Sequence, residues 1–288
     1  MNALPDSMPA DPFSEIAYAK LNLALHVRRR RADGYHELET LFAFVDEGDR
    51  LAVAAAADFS LKITGPFGAG LSAGEDNLVL RAARLLAQRN GVSAGAAFTL
   101  DKRLPIAAGI GGGSADAAAA LRLVARLWDL GPQAVQPMDI AAQLGADVPA
   151  CVASQTCFGT GVGERLEPLP GDDVCGLPVL LVNPRVECLT GPVFTAWDGV
   201  DRGALDVAGG LAAWRAARND LQVPALALHP QIGAVLGYLD GLGAQLVRMS
   251  GSGATCFALF DDAAARDAAA GRLACDYPQW WQMTGALR

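Results

Sequence analysis

The sequence predicts an α+β protein of two domains, and three observations support that prediction. At 288 residues the chain is long enough for two modest domains that each bury a core. Strand-like and helix-like segments alternate in both halves of the chain. A stretch rich in chain-breaking residues, 159–173, separates these halves. We therefore expect an N-terminal α+β domain at 13–165 and a C-terminal α+β sandwich at 178–288.

Hydrophobic periodicity gives the individual elements. Strands are predicted at 16–27, 37–46, 50–54, 59–63 and 96–102, and in the second half at 178–182, 245–250 and 255–260. In the first half, helices are expected from an Asp76 cap to Asn90-Gly91, from a glycine-rich loop to Gly131, and at 137–144. In the second half, helices are predicted at 204–217, 229–239 and 262–273.

The first strand, 16–27, places polar side chains on one face. Ala17, Ala19, Leu21 and the following odd-numbered positions are apolar and predict a buried face. The other face carries Tyr18, Lys20, Asn22 and His26. A solvated face would be the ordinary interpretation of a single strand lysine. The shared face of a lysine, an amide and an imidazole favours a functional site instead.

The segment 104–121 runs from a glycine-rich loop directly into a helix. Glycine allows left-handed backbone angles and lets main-chain N–H groups approach a ligand, so Gly109 and Gly111 to Gly113 are suited to a phosphate cradle. We expect the helix to begin at Ser114, where its unpaired N–H groups and positive dipole end favour an anion. A flexible linker or an ordinary capped turn is the alternative, and the fixed apolar residues Ile106 and Ile110 argue against it.

The phosphate loop matches neither of two common designs. No Gly-Lys-Ser/Thr follows the glycines, so the loop is not a Walker loop. Its glycines are contiguous, and Asp129 lies near the end of the helix, so the loop also differs from the dinucleotide-binding fingerprint. The sequence therefore indicates phosphate binding by a third design.

Asp147 stands between Gly145 and the turn before Pro149, next to apolar residues. One interpretation is a turn residue that hydrogen-bonds its own backbone. The other is a partly enclosed base that accepts a proton from an attacking hydroxyl, which a phosphate-loop enzyme requires. Lys20 would then lie beside Asp147, hold its charge and polarise the hydroxyl.

Composition excludes several classes of function. Hydrophobic residues make up 52% and charged residues 19%, as in ordinary folded proteins, and the net charge of −8 disfavours nucleic-acid binding. The basic run Arg28 to Arg31 is either a solvated loop or an aid to an anionic substrate. No signal peptide, membrane span or Cys-x-x-Cys pair is visible, so we expect a cytoplasmic protein with reduced thiols. We also expect a monomer or a weak homodimer.

The pattern Pro-x-x-x-Gly-Ile-Gly-Gly-Gly-Ser-x-Asp-Ala-Ala at 105–118 resembles the ATP-binding motif of the GHMP kinases. The resemblance implies a two-domain GHMP kinase fold and an ATP site. Mg²⁺ is expected to arrive with ATP and to be held by its phosphates, with help from Ser114, because the cysteines and histidines show no metal-ligand spacing. The residues that the resemblance places at ATP are Asn77, Lys102, Pro105, Ala107, Ala108, Gly109, Ile110, Gly111, Gly112, Gly113, Ser114 and Ala115.

Four further segments, 19–23, 31–38, 40–42 and 144–149, are similar to one branch of this family. Its members phosphorylate the 2-hydroxyl of a cytidine-diphosphate-linked methylerythritol in the non-mevalonate isoprenoid pathway. The resemblance makes Lys20 and Asp147 the catalytic pair. It assigns Asn22, Tyr35, His36 and Phe194 to the substrate, with aromatic faces and polar groups suited to a cytosine.

Three alternatives to these implications stay open. Core packing is the second interpretation of Phe194, because the approach to it, 187–192, departs from the family pattern. Homoserine or mevalonate kinases are rival assignments, but they lack an Asp-Gly-Tyr-His element such as Asp33 to His36. The third alternative is a nucleotide-binding module without catalytic activity, and the presence of both Lys20 and Asp147 disfavours it.

A second small-residue loop, 249–256, resembles the third sequence motif of the GHMP kinases.

Overall fold

The computed structural model describes residues 13–169 and 174–288. The N-terminal segment 1–12, where we expect no signal peptide, lies outside the described residues, and so does 170–173 within the predicted domain boundary. Helices and strands are mixed throughout the described chain, which confirms the α+β class.

The first half of the chain forms a six-stranded sheet with helices packed on it. The strands are β1 (Ser14–Arg30), β2 (His36–Ala56), β3 (Ser60–Thr64), β4 (Gly95–Asp101), β5 (Cys157–Gly161) and β6 (Arg165–Pro168). Their order is β3-β4-β2-β5-β6, and β1 pairs with β2. The helices are α1 (Leu78–Asn90), α2 (Gly112–Leu127), α3 (Pro137–Ala141) and α4 (Val148–Ala153). Alanines of α2 fill the space between sheet and helices, and their small size allows this close packing.

The second half forms a four-stranded sheet in the order β10-β7-β9-β8. Its strands are β7 (Pro178–Asn183), β8 (Leu246–Met249), β9 (Cys256–Leu259) and β10 (Trp281–Ala286). Five helices accompany it in the described chain, α5 (Thr190–Thr195), α6 (Gly210–Ala216), α7 (Gln222–Leu228), α8 (Gln231–Asp240) and α9 (Ala263–Asp276). Ile232 and Val235 of α8 and Leu273 of α9 are buried in the core of this half.

The two sheets share a hydrophobic core. Leu21 and Leu23 of β1 belong to the same buried cluster as Leu181 of β7 and Phe257 of β9. The C-terminus reinforces this contact, since the Arg288 N–H donates to the Phe44 carbonyl at 2.9 Å. As a result, β1 is buried on both faces, where the sequence predicted one buried face. The division into domains at 13–165 and 178–288 stays a prediction.

The strand predicted to end at residue 46 instead continues to residue 56 as one long strand, β2. Gly48 explains the continuity. A Cβ at this position would lie 2.0 Å from the Ala17 carbonyl oxygen, so only glycine allows β1 to approach here. The register between β1 and β2 shifts at the same place, between Tyr18 and Lys20. The sheet therefore bends where the sequence suggested a break.

Two helix starts differ from the prediction. Asn77, and not Asp76, caps α1, because its Oδ1 accepts the Val79 N–H at 2.9 Å. Helix α2 begins at Gly112, two residues before Ser114, and its N-cap Gly111 has a left-handed φ of 64°. The glycines thus form the first turn of the helix as well as the loop before it.

The other differences concern short elements. The helix predicted at 204–217 is confined to α6, because the Asp206 carboxylate accepts the Gly209 N–H and stabilises a turn. Strands β5, β6 and β10 and helices α4, α5 and α7 were not predicted. Within the described chain, no helix combines the length and apolar character needed to cross a bilayer. All six cysteines are free thiols.

Candidate active site

A cleft of about 880 Å³ opens along β1 and the phosphate loop. It brings together residues from the hairpin of β1 and β2, from the start of α1, from the loop before α2 and from α5. Sixteen of the predicted site residues line it, namely Lys20, Asn22, Tyr35, His36, Asn77, Lys102, Pro105, Ala107, Ala108, Gly109, Gly111, Gly112, Gly113, Ser114, Asp147 and Phe194. The side chains of Ile110 and Ala115, also predicted there, are buried behind its wall.

The phosphate loop passes so close to its neighbours that side chains are excluded. A Cβ on Gly109, whose φ is +72°, would lie 2.4 Å from the Ser250 carbonyl oxygen. A Cβ on Gly111 would lie 3.1 Å from the Lys20 Cε. The loop therefore leaves the N-terminal N–H groups of α2 facing the cleft, and this arrangement suits a phosphate. The Lys20 N–H donates to the Ile110 carbonyl at 3.0 Å and so fixes the loop against β1.

Lys20 and Asp147 meet at this loop. The Lys20 Nζ lies 3.1 Å from the Asp147 Oδ2, and it donates a hydrogen bond to the Asn22 Oδ1 at 3.0 Å. It also lies 4.7 Å from the centre of the Phe42 ring. Asn22 is held in turn because its Nδ2 donates to the Thr40 Oγ1 at 2.7 Å. The lysine is buried, whereas the Asp147 side chain is 39% exposed and faces the cleft.

Asp147 stands at the N-cap of α4, and its side chain makes no capping hydrogen bond. The interpretation of Asp147 as a turn residue bonded to its own backbone therefore has no support in the structure. Its position does come from local sequence: Pro149 is favoured in the first turn of a helix, and Gly145 adopts a φ of +158° just before it. The backbone thus fixes the position of Asp147, and its carboxylate, which makes no capping bond, faces the cleft beside Lys20.

Aromatic residues surround the far end of the cleft. The His36 and Phe194 rings lie 5.0 Å apart, and Trp197 meets His36 edge-on at 5.7 Å. Burial, together with the charge of Arg30, lowers the pKa of His36 and so favours the neutral ring. Tyr35 is 64% exposed at the rim. Phe194 also packs on the core, so its two predicted roles are compatible.

Comparison with known proteins is consistent with this geometry. The family model for the GHMP kinases N terminal domain matches residues 77–155, and that for the GHMP kinases C terminal matches 201–279. A 4-diphosphocytidyl-2-C-methyl-D-erythritol kinase of Rhizorhabdus wittichii is 57% identical over 96% of this chain and 94% of its own. One of Novosphingobium aromaticivorans is 54% identical over 99% and 96%. The chain belongs to the 4-diphosphocytidyl-2-C-methyl-D-erythritol kinase family of GHMP kinases.

Solved structures agree. A crystal structure of 4-(cytidine 5'-diphospho)-2C-methyl-D-erythritol kinase superposes with a TM-score of 0.81 at 36% identity, covering 95% of this chain and 98% of that one. A homoserine kinase from Cytophaga hutchinsonii shares the fold, with a TM-score of 0.69 at 19% identity over 99% and 98% of the two chains. The GHMP kinase fold and the small-molecule kinase class predicted from the sequence are confirmed. ATP is the phosphoryl donor of this family.

Under the phosphate loop, the kinase buries a charged cluster that the sequence analysis missed. The Lys102 Nζ lies 2.5 Å from the Asp49 Oδ2 and 2.6 Å from the Asp116 Oδ2. Burial raises the pKa of Asp116 to about 7 against the opposing attraction of Lys102. The resemblance placed Lys102 near the nucleotide, but its ammonium already has two carboxylate partners. The sequence did contain a signal for Asp116, because this residue is the aspartate of the glycine-rich pattern at 105–118.

Other polar residues of the hairpin lie differently from the prediction. His26 does not line the cleft with Lys20 and Asn22. Its Nδ1 lies 3.1 Å from the Gly203 carbonyl oxygen, and burial lowers its pKa. The register of β1 shifts between Asn22 and Ala24, so the simple alternation that put His26 on the same face fails. Of these three predicted polar residues, Lys20 and Asn22 therefore line the cleft.

The four arginines of the basic run, Arg28 to Arg31, also differ in their surroundings. Arg28, Arg29 and Arg31 pair with the nearby carboxylates of Glu37, Glu39, Asp33 and Asp201. Arg30 makes no ion pair with any residue of 13–169 or 174–288, and it lines the cleft. It pairs with His36 across the β1–β2 ladder, so the two side chains share a face. One arginine of the run is thus available to an anionic ligand.

Proposed function

We propose that this kinase transfers the γ-phosphoryl group of ATP to the 2-hydroxyl of 4-diphosphocytidyl-2-C-methyl-D-erythritol, with Asp147 as the base. One observation supports the mechanism most directly. The Lys20–Asp147 pair, at 3.1 Å, lies beside the loop whose N–H groups suit a triphosphate. A hydroxyl placed there would have a proton acceptor within reach and a phosphoryl group nearby.

Each side chain has a separate task in this mechanism. Asp147 accepts the hydroxyl proton. Lys20 hydrogen-bonds the attacking oxygen and balances charge on the transferred group, and Asn22 orients the lysine through the 3.0 Å bond. The nearly complete burial of Lys20 strengthens these interactions, because water screens a buried charge poorly. Positioning and electrostatics supply most of the catalysis expected for phosphoryl transfer.

Mg²⁺ would enter this site with ATP. Within the described parts of the chain, no group of three or more His, Cys, Asp or Glu side chains could hold a metal ion. Phosphate oxygens would therefore be its main ligands, and Ser114, in the first turn of α2 and on the cleft wall, could add a hydroxyl. When bound, Mg²⁺ would neutralise charge on the phosphates.

The cytidine would bind at the aromatic end of the cleft. Tyr35 is an exposed ring that a base could cover, and His36 offers polar groups for its edge. Phe194, 5.0 Å from His36, supplies a second aromatic wall. The hairpin of β1 and β2 carries Tyr35 and His36 of this end and also Lys20 of the catalytic pair. A substrate with a base at one end and a hydroxyl at the other would therefore span one continuous surface.

A coupled assay of ADP release tests the proposal. The panel would contain the cytidylylated alcohol, its uridine analogue, methylerythritol phosphate, homoserine and mevalonate, each with ATP and Mg²⁺. We expect turnover with the first alone. The uridine edge exchanges a donor for an acceptor and would leave buried groups unpaired. Comparable rates with methylerythritol phosphate would overturn the substrate assignment and leave an unspecified GHMP kinase.

A further inference from the structure

The loop between β8 and β9, residues 250–255, touches three walls of the cleft. This buried loop is the second small-residue motif of the sequence. On one side, the Thr255 N–H donates to the Ala108 carbonyl of the phosphate loop at 3.1 Å. On another, the Ser252 and Thr190 hydroxyls lie 3.0 Å apart, which links the loop to the start of α5. The third contact, to β1, is made by Ser250.

The Ser250 hydroxyl joins the phosphate loop to the catalytic strand. It donates to the Gly109 carbonyl at 2.9 Å and accepts the Asn22 N–H at 3.1 Å. The residue is fully buried, so water cannot replace either partner. One oxygen therefore fixes the carbonyl of a left-handed glycine in the phosphate loop and the backbone of the residue that orients Lys20.

Asn219 holds this loop in place. Its Nδ2 donates to the Met249 and Gly251 carbonyls, both at 2.8 Å, and these residues flank Ser250. Its Oδ1 accepts the Leu221 N–H at 2.9 Å, so the amide is fixed in one orientation. The neighbouring backbone is tied to β1, since the Leu25 N–H donates to the Arg218 carbonyl at 2.9 Å. Asn219 thus gives Ser250 a fixed position relative to the strand.

We infer that Ser250 is a positioning residue that couples the nucleotide site to the acceptor site, with Asn219 as its support. A nucleotide that orders the phosphate loop would fix the Gly109 carbonyl, and through Ser250 it would fix the backbone of Asn22. Lys20 would then be oriented before the alcohol binds. By thermodynamic linkage, the alcohol would favour nucleotide binding by the same factor. The inference rests on the proposed function, because it concerns the two substrates named there.

The competing interpretation is that Ser250 only stabilises the fold. Thr255 gives a matched control in the same loop. It is equally buried, and its hydroxyl accepts the Asn183 Nδ2–H at 2.9 Å rather than a group of the phosphate loop or β1. Thr255→Val should therefore lower the melting temperature while it leaves the link between the two sites intact. Ser250→Ala should break the link, and Ser250→Thr, which keeps the hydroxyl, should restore it.

The measurement is the affinity for the cytidylylated alcohol, by calorimetry, with and without saturating AMP-PNP and Mg²⁺. We expect the analogue to tighten binding at least about 5-fold in the wild type and in Thr255→Val, a coupling at the lower end of the usual range. The factor should fall below about 2-fold in Ser250→Ala. Asn219→Asp, which loses both amide donors, should behave like Ser250→Ala and provides the test should the alanine variant not fold.

Two results with the variants would overturn the inference. One is wild-type coupling in Ser250→Ala or Asn219→Asp, and the other is an equal loss of coupling in Thr255→Val. An uncoupled wild type would overturn it as well. Failure of the proposed function is distinguishable, because in that case wild-type enzyme would release no ADP with the cytidylylated alcohol. If the wild type turns over and the variants keep its coupling, the inference alone fails.

Discussion

Replacing Asp147 by asparagine should remove the base and leave the fold almost intact. The carboxylate is 39% exposed and makes no capping bond, and an asparagine oxygen in its place can still accept from the buried Lys20 ammonium, so the substitution should cost about 1 kcal/mol of unfolding free energy. Lys20 keeps its bond to the Asn22 Oδ1 and its contact with the Phe42 ring. We therefore expect a melting temperature within about 2–4 °C of wild type. Turnover should fall about 10²-fold to 10⁴-fold, the usual contribution of a positioned base.

The assay is steady-state ADP release with the cytidylylated alcohol, beside calorimetry of ATP binding, which should stay near wild type. Asp129→Asn is the matched control, since it removes one carboxylate outside the cleft and asparagine tolerates its φ of +49°. Turnover within a few-fold of wild type in Asp147→Asn would refute the proposed role of Asp147.

Lys20→Ala should also lose turnover, and the double variant should lose less turnover than the product of the two single losses. Fully multiplicative losses would show that the two residues act on different groups.

Three further predictions concern binding. Gly112→Val should abolish ATP binding in calorimetry, because its Cβ would lie 3.1 Å from the Lys102 Nζ at the phosphate loop, whereas Gly131→Val, which meets no atom within 4 Å, should not. Tyr35→Ala should weaken binding of the cytidylylated alcohol about 5-fold to 150-fold through lost stacking, with ATP affinity unchanged. Arg30→Gln should raise KM for that alcohol, and the effect should shrink at high salt, while Arg29→Gln should change little because Arg29 pairs with Glu37 and does not line the cleft.

Each binding prediction has a result that would contradict it. Unchanged ATP affinity in a folded Gly112→Val variant would move the phosphate site elsewhere. An equal loss of ATP and alcohol affinity in Tyr35→Ala would indicate a structural role for the ring. If KM is unchanged in Arg30→Gln, Arg30 does not contact the diphosphate of the substrate. The same conclusion would follow if Arg29→Gln raised KM equally.

The features predicted correctly are those that local sequence determines. The glycine run before α2 can be read from sequence because glycine adopts the left-handed backbone at Gly109 and Gly111 without strain, and because a Cβ on Gly109 would meet the Ser250 carbonyl. Helix α1 ends at Asn90, as predicted, because Gly91 adopts the left-handed cap conformation. The meeting of Lys20 and Asp147 was predicted by resemblance and by the need for a base, since no local pattern connects positions 127 residues apart.

The features that were missed depend on packing between distant segments. Strand β10 pairs with β7 more than 90 residues earlier, and its own sequence lacks a clear alternation. His26 left the predicted face because a register shift reversed the alternation of β1. None of these contacts leaves a signal within a short window of sequence.

The position of the site on the hairpin explains how one cleft could serve two ends of a long substrate. The turn between the strands is closed by the Arg31 N–H, which donates to the Tyr35 carbonyl at 2.8 Å. The β1–β2 register then fixes His36 relative to Lys20, so one ladder of backbone hydrogen bonds would set the spacing between the proposed base recognition and the proposed chemistry. The other aromatic wall, Phe194, comes from the second half of the chain. Phe194 packs on a buried cluster that contains Leu25 and Val27 of β1, so a substitution in that cluster should raise KM for the cytidylylated alcohol before it unfolds either sheet.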